Sequence, residues 1–370
     1  MHSCPKLLFM KLIYFLAFIF LFSCSETVED RCFAGLKEKL TFYQEKKPFT
    51  VDQILENKPD YLEIIHLKKY RSFKQDSIES IHRYESDEVQ EERWKAHQKE
   101  YKVFKDYFSD QFSFSQKQQV GNKLYALGTN NLGFWLLAIE NNKASAYFLG
   151  LSFSHYYINT IQQKPIINGG FLELEGSLVK IVKVPGLPGY DDYSAIRDGN
   201  LFRINLKDLI QDTDHDGYND IFEKSFGLNA ESNDTDGDGI SDFDDLNPMF
   251  ISSKNKFTEL YELLMPQYGD TEGNLNKMHY TFTVFENDCD YFHQVSTDYR
   301  VLFIPENDNK KTYYVKMTDV TSDTISKIKK DKNNPDQYYI SKSGSSYERD
   351  YSAEYKNGKW ELEMIGGIDI

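Results

Sequence analysis

Residues Asp212–Glu223 read DTDHDGYNDIFE, and Asp234–Asp245, 22 positions further on, read DTDGDGISDFDD. Laid on one twelve-residue frame, the two stretches agree position by position. Carboxylates fall at 1, 3 and 5: Asp212, Asp214 and Asp216 in the first, Asp234, Asp236 and Asp238 in the second. Gly217 and Gly239 follow at position 6. Tyr218 and Ile240 at position 7 offer a main-chain carbonyl, Asp220 and Asp242 stand at 9, and Glu223 or Asp245 closes the frame at 12. Alternate residues of a tightly curled loop point inward, so the first three carboxylates converge. The chain must then reverse, which glycine does cheaply at positive φ. The carboxylate at 12 reaches back to the same point. Such an oxygen set suits Ca²⁺, which takes about six to eight oxygens at roughly 2.3–2.6 Å, and two Ca²⁺ ions are expected. Asp245 is one methylene shorter than Glu223, so Asp244 and Asn247 stand beside it as further donors.

The spacing is that of the EF-hand calcium loop, with departures. Position 8, usually aliphatic where paired loops bridge, is Asn219 in the first loop and Ser241 in the second. The second loop runs into Leu246-Asn247-Pro248, which stops a helix from leaving it. After the first loop only a short helix fits, with Gly227 as its C-cap. With the link Phe226-Gly227-Leu228-Asn229 between them, these tandem runs resemble the bacterial type 3 thrombospondin repeat. The resemblance covers residues 212–245 only. It implies Ca²⁺ ions packed into a compact, rigid connector. A dockerin-like pair also uses two loops about this far apart, but expects a helix after each, which Pro248 denies.

The whole chain has 370 residues, with 43 Lys and Arg against 58 Asp and Glu, for a net charge of −15. Residues 212–245 alone hold ten Asp and two Glu against one Lys, so the acidity is mainly that of the loops. The balance excludes a general nucleic-acid binder, which needs a basic face. At 40% hydrophobic residues the chain can build cores, and its length suggests more than one domain.

The N-terminus reads MHSCPKLLFMKLIYFLAFIFLFSCSE. Lys6 and Lys11 make it basic, and Leu12–Phe22 is an uncharged run too short to span about 30 Å of hydrocarbon as a helix. Residues 1–23 therefore read as a signal peptide. Leu21-Phe22-Ser23-Cys24 resembles the bacterial lipobox, which implies a lipid on Cys24 and membrane contact through that anchor only. The acidic cluster after it, Glu26 to Asp30, resembles the surface-export signal of some bacterial lipoproteins. With no Asp at position 25, the expected place is the outer membrane, at the cell surface or on the periplasmic face. A cleaved signal without lipid and an uncleaved anchor are the rival readings. Cys32 and Cys289 remain after processing. An exported compartment permits a disulfide between them, and two buried free thiols are the equal alternative.

Away from the loops, residues 24–115 read as polar and mostly helical. Trp94, His97, Tyr101, Phe104 and Phe108 recur at three- and four-residue steps, one face of a helix over 87–108 capped by Ser86. Residues 116–205 read as an antiparallel β domain. Strands 134–139 and 146–149 flank Asn141-Asn142-Lys143, strands 171–174 and 179–184 flank Gly176, Pro185 to Gly189 breaks the run, and Asp198-Gly199 joins two short strands. Residues 206–250 hold the loops. Residues 251–370 read as a β-rich α+β domain. Its helix carries Phe257, Leu260, Tyr261 and Leu264, its strands lie at 280–285, 300–304, 312–317 and 337–341, and a hairpin pairs 351–356 with 359–365 across Asn357-Gly358. The fold class is thus α+β: a helical N-terminal segment, and antiparallel β-rich domains on either side of a short calcium-binding connector.

The sequence holds no His-Glu-x-x-His helix, Gly-x-Ser-x-Gly elbow or Walker-type phosphate loop, and no catalytic residue is singled out. The 26 Tyr and 27 Phe would serve a glycan-binding platform, though AT-rich coding raises the same residues. The leading expectation is a calcium-binding lipoprotein with a structural or binding role rather than an enzymatic one. The alternatives are a hydrolase with structural calcium, and an adhesion protein that meets a surface protein or glycan.

Overall fold

A computed structural model describes residues 27–35, 48–80, 85–183, 191–266, 277–318, 324–344 and 347–369. The signal peptide, Cys24 and the break at 185–189 lie outside the described residues.

Helix α1 (Val28–Cys32) is capped by Thr27, whose hydroxyl accepts from Asp30 N. Helix α2 (Val51–Glu56), strand β1 (Leu62–His66) and helices α3 (Phe73–Ser80), α4 (Asp87–Glu100) and α5 (Lys102–Phe108) follow. Ser86 caps α4 as expected, accepting from Val89 N. The expected single stripe does not hold. The helix breaks at Tyr101, where ψ is 10°, and this re-aims the apolar face. Trp94 on α4 is 60% exposed, whereas Tyr101, Phe104 and Phe108 are buried.

Strands β2 (Ser113–Val120), β3 (Lys123–Asn130), β4 (Gly133–Glu140) and β5 (Lys143–Phe148) form an antiparallel meander. The β4–β5 turn has Asn141 and Asn142 at φ 51° and 63°, the two-residue turn whose twist suits a hairpin. A second sheet combines β1 with β6 (Tyr156–Ile158), β7 (Ile167–Asn168), β8 (Phe171–Lys183) and β9 (Asp191–Asn205), in the order β1-β9-β8-β6 with β7 also on β8. Here two expectations fail together. The segments about Gly176 are one strand, β8, and those about Asp198-Gly199 are one strand, β9. Gly176 pairs with Asn200 and Leu178 with Arg197, so Ser177 faces both Asp198 and Gly199. The turn signals mark a β-bulge across a long pair. Gly176 is required there: a Cβ would lie 2.0 Å from the Tyr157 carbonyl oxygen.

The acidic segment holds two short helices, α6 (Leu206–Leu209) and α7 (Asp220–Phe226). Beyond it come α8 (Lys256–Leu264), β10 (Thr283–Glu286), α9 (Asp290–His293), β11 (Val301–Ile304) and α10 (Tyr313–Met317). The last sheet is built from β12 (Thr324–Ile325), β13 (Lys329–Lys330), β14 (Gln337–Ser343), β15 (Tyr347–Lys356) and β16 (Lys359–Asp369), in the order β12-β14-β15-β16 with β13 on β14. The final hairpin turns at Asn357-Gly358 as expected. The 312–317 strand is instead α10, which buries Tyr314, Val315 and Met317, a spacing that a strand's alternation does not give.

The molecule is a mixed α+β fold, and among the described residues its core forms two hydrophobic clusters. The first gathers Trp135, Phe148, Phe202, Tyr218, Phe222 and Phe282 among others; the second gathers Leu260, Tyr261, Phe292, Trp360 and both Cys32 and Cys289. Strands β10 and β11 pair in parallel, and they form the partition. Val284, Leu302 and Ile304 face the first cluster, while Phe285, Val301 and Phe303 face the second. Period-two alternation lets one buried strand pair serve both sides. The clusters therefore do not divide at residue 250. Cys32 and Cys289 form a disulfide, the pairing the sequence left open. It fastens α1 to the second cluster, beside an Arg31–Asp290 ion pair at 2.7 Å.

Candidate metal centre

Each acidic loop is wound by its own carboxylates. In the first, Asp212 Oδ1 accepts from His215 N, Asp214 Oδ1 from Asp216 N and Asp216 Oδ1 from Tyr218 N, at 2.7, 3.1 and 2.7 Å. These side-chain turns curl the backbone. In the second, Asp234 accepts from both Gly237 N and Gly239 N, Asp236 Oδ1 from Asp238 N and Asp238 Oδ1 from Ile240 N. Gly217 and Gly239 stand at φ 120° and 96°, which meets the requirement at position 6. His215 is exposed at φ 67°, pointing away from the loop's centre as a position-4 residue should.

The other oxygens turn inward. Asp214 Oδ2, Asp216 Oδ2, Asp236 Oδ2 and both carboxylate oxygens of Glu223 are buried without a hydrogen-bond partner. Asp212, Asp214 and Asp216 each bring an oxygen within 4.8 Å of the others; so do Asp234, Asp236 and Asp238, and so do Asp216, Glu223 and Asp242. Glu223 comes from α7, is 0% exposed, and is held in place by the helix that Gly227 ends at φ 84°. Burial, then repulsion from Asp214 and Asp216, pushes Glu223 up to about 9. Burial likewise lifts Asp216 to about 7 and Asp236 to about 6, with neighbouring aspartates adding to each. Asp212, Asp242 and Asp245 are raised mainly by burial. A buried carboxylate without a donor is costly unless a cation completes it. The donors are all hard oxygens, without Cys or His, and fit Ca²⁺ better than a softer metal.

Two residues at position 9 do not act as the frame predicts. Asp220 accepts hydrogen bonds from Thr213 N, the Thr213 hydroxyl and Gln211 Nε2, with Lys224 Nζ at 3.2 Å. It latches the loop and joins none of the three carboxylate clusters, its Oδ2 being shared by three donors. Asp242 makes the same latch with Thr235, yet joins Asp216 and Glu223 of the other loop. Asp245, the expected closing ligand of loop two, stands outside the Asp234–Asp236–Asp238 cluster, though close enough for Asp238 to repel it. The side chain of Tyr218 is buried in the first cluster and that of Ile240 is exposed, so only their carbonyls remain as donors. Cys24 lies outside the described residues.

The segment is pinned on both sides. At position 8, Asn219 pairs with Phe148 through both backbone groups, Phe148 N to Oδ1 and Nδ2 to Phe148 O, each at 3.0 Å, and also donates to Leu209 O. The polar residue at a normally aliphatic position thus docks loop one on the end of β5. Loop two leaves through Leu246, whose carbonyl accepts from Val301 N of β11. The buried guanidinium of Arg300 donates to Asp245 O at 2.6 Å, and Asn247 donates to His293 O at 2.7 Å. The sequence reading missed Asn219, the Thr–Asp latches and the inter-loop place of Asp242. The repeated Thr at position 2, Thr213 and Thr235, was the available signal for the latches.

No protein-family model, curated protein or solved structure matches the chain. Among the described residues, no helix is long and apolar enough to cross a membrane.

Proposed function

We propose that residues 212–245 bind two Ca²⁺ ions, and that these ions staple together the two hydrophobic clusters of an exported, lipid-anchored protein whose role is structural or binding. The observation that carries this reading is Glu223: a fully buried carboxylate, both oxygens without a donor, facing Asp216 and Asp242. Asp212, Asp214, Asp216, Glu223 and the Tyr218 carbonyl would hold one ion. Asp234, Asp236, Asp238 and the Ile240 carbonyl would hold the other, with Asp245 nearby. The staple follows from the anchoring contacts, with Asn219 tied to β5 and Leu246 tied to β11. Extracellular modules hold Ca²⁺ at about 10⁻⁴–10⁻³ M, so the ion would be a constant part of the fold rather than a signal. The Cys32–Cys289 disulfide supports an oxidising compartment, in keeping with a lipobox at Cys24.

Thermal unfolding of the mature chain in Ca²⁺ and in chelator tests the calcium role. A lower Tm and faster proteolysis in chelator are expected. An unchanged Tm together with unchanged protease resistance would sink it. Anchoring is tested separately: Cys24→Ala should move the protein from the membrane fraction to the soluble one.

A further inference from the structure

Each position-9 aspartate is latched by the Thr at position 2 of its own loop, through both the Thr N–H and hydroxyl, but their further surroundings are opposite. Asp220 Oδ1 accepts from Thr213 N, and its Oδ2 accepts from the Thr213 hydroxyl, Gln211 and Lys224. Asp242 Oδ1 accepts from Thr235 N at 2.8 Å, and its Oδ2 from the Thr235 hydroxyl at 2.6 Å. A carboxylate oxygen has two lone pairs, so each Asp242 oxygen keeps one. Where Asp220 meets a lysine, Asp242 meets Asp216 and Glu223, all three with an oxygen inside 4.8 Å. Asp242 is 1% exposed and Glu223 0%, so water does not screen them. The independent sign of a ligand is Glu223, whose two buried oxygens have no hydrogen-bond partner.

Resting on the calcium reading above, we infer that the first ion's shell is completed across the loops, with Asp242 of the second loop as a ligand of the first loop's ion. Loop one then lacks a ligand until loop two is folded. The latch from Thr235 positions Asp242, so the shape of the second loop sets the affinity of the first. By linkage the two ions bind with positive coupling, each raising the affinity of the other by the same factor. Asp220 has no preceding loop to serve, and Lys224 takes the place of an ion beside it.

The test is Ca²⁺ binding to the full mature chain by calorimetry and equilibrium dialysis. Asp214→Asn and Asp236→Asn, one in each loop, assign the two binding steps. Asp242→Asn should weaken the first-loop step at least tenfold. Asp242→Glu, which keeps the charge and displaces the carboxylate, should weaken the same step and serves if the asparagine variant does not fold. Thr235→Val, which loosens the latch that positions Asp242, should weaken that step less than Asp242→Asn does, while Asp220→Asn, which leaves Asp242 and its latch intact, should stay within about threefold of wild type there. The inference is overturned if Asp242→Asn weakens only the second-loop step, or if Asp220→Asn weakens the first-loop step as much. Two ions bound independently by wild type would overturn it while leaving the calcium reading intact; no uptake at millimolar Ca²⁺ would overturn both.

Discussion

At the scale of single residues, Asn219 and Glu223 do different work in one loop. Asn219 substitutes a side-chain amide for a strand partner: its three hydrogen bonds go to backbone groups of Phe148 and Leu209 in a site with 1% exposure. Asn219→Ala leaves those groups without this partner. Since each buried, unsatisfied group costs about 1–3 kcal/mol, a loss of roughly 2–4 kcal/mol is expected in urea unfolding of the Ca²⁺-loaded protein. Glu223 would carry the chemistry of the proposed ion. With burial lifting it to about 9 and Asp216 to about 7, metal-free Glu223 holds a proton at neutral pH. Ca²⁺ must displace that proton, so uptake strengthens as pH rises. Affinity should change by roughly tenfold per pH unit between 7 and 9, and more steeply below 7 where Asp216 also protonates. Calorimetry in buffers of different ionisation heat reads the released proton directly. Glu223→Gln, an isostere of the protonated acid, should lose that release and much of the affinity, while leaving metal-free stability at pH 7 nearly unchanged. An affinity flat across pH 7 to 9 would contradict the assignment.

At the scale of elements, legibility followed how local the deciding physics is. The Asn141-Asn142 and Asn357-Gly358 hairpins, the Ser86 cap and the Gly227 C-cap are each settled within a few residues, and each stands where the sequence puts it. So do the inward aspartates at positions 1, 3 and 5 of both loops. Gly176 and Asp198-Gly199 were misread because a bulge and a turn use the same residues; only the partner strand distinguishes them. The break at Tyr101 was hidden for a similar reason, since an apolar residue every three or four positions reads as one helix whether or not the axis bends. The grouping of Asp242 with Asp216 and Glu223 was not legible, because nothing in a linear frame shows which face of loop two meets α7. The disulfide lies at the far end of this scale. Its cysteines are 257 residues apart, and only the packed second cluster brings them together. The bond, the Arg31–Asp290 pair and the Phe33–Ile328 bridge together hold residues 27–35. Reduction should therefore cost about 2–5 kcal/mol and open Arg31 to trypsin. Equal Tm and equal cleavage with and without reductant would show that the bond does not restrain this segment.

At the scale of the whole molecule, the question is whether the ions hold a local hinge or the fold itself. A connector that merely joined two domains would unwind alone when stripped of metal. Here Tyr218 and Phe222 pack in the same cluster as Trp135 and Phe148, and α7 carries both Phe222 and the proposed ligand Glu223. Without the proposed ion, the acidic groups of loop one would crowd against the core's own wall, protonated or mutually repelling according to pH. The metal-free protein then has a definite pH trend. Its native state binds more protons than its unfolded state between the ordinary carboxylate range and about 9, because Asp236, Asp216 and Glu223 are raised to about 6, 7 and 9. Stability falls as pH rises wherever the native state binds more protons. Metal-free Tm should therefore drop from pH 5.5 to pH 8, while in ~5 mM Ca²⁺ it should hold or rise. Two ions at about 10⁻⁴ M would add roughly 4–5 kcal/mol at that concentration, a gap of about 5–10 °C at pH 8. Hydrogen exchange distinguishes hinge from fold. Chelation should accelerate exchange in β4 and β5 as well as in 212–245, since Asn219 and Phe222 couple them. Acceleration confined to 212–245, with β4 and β5 unchanged, would mean that the core stands without its ions and that the staple is local.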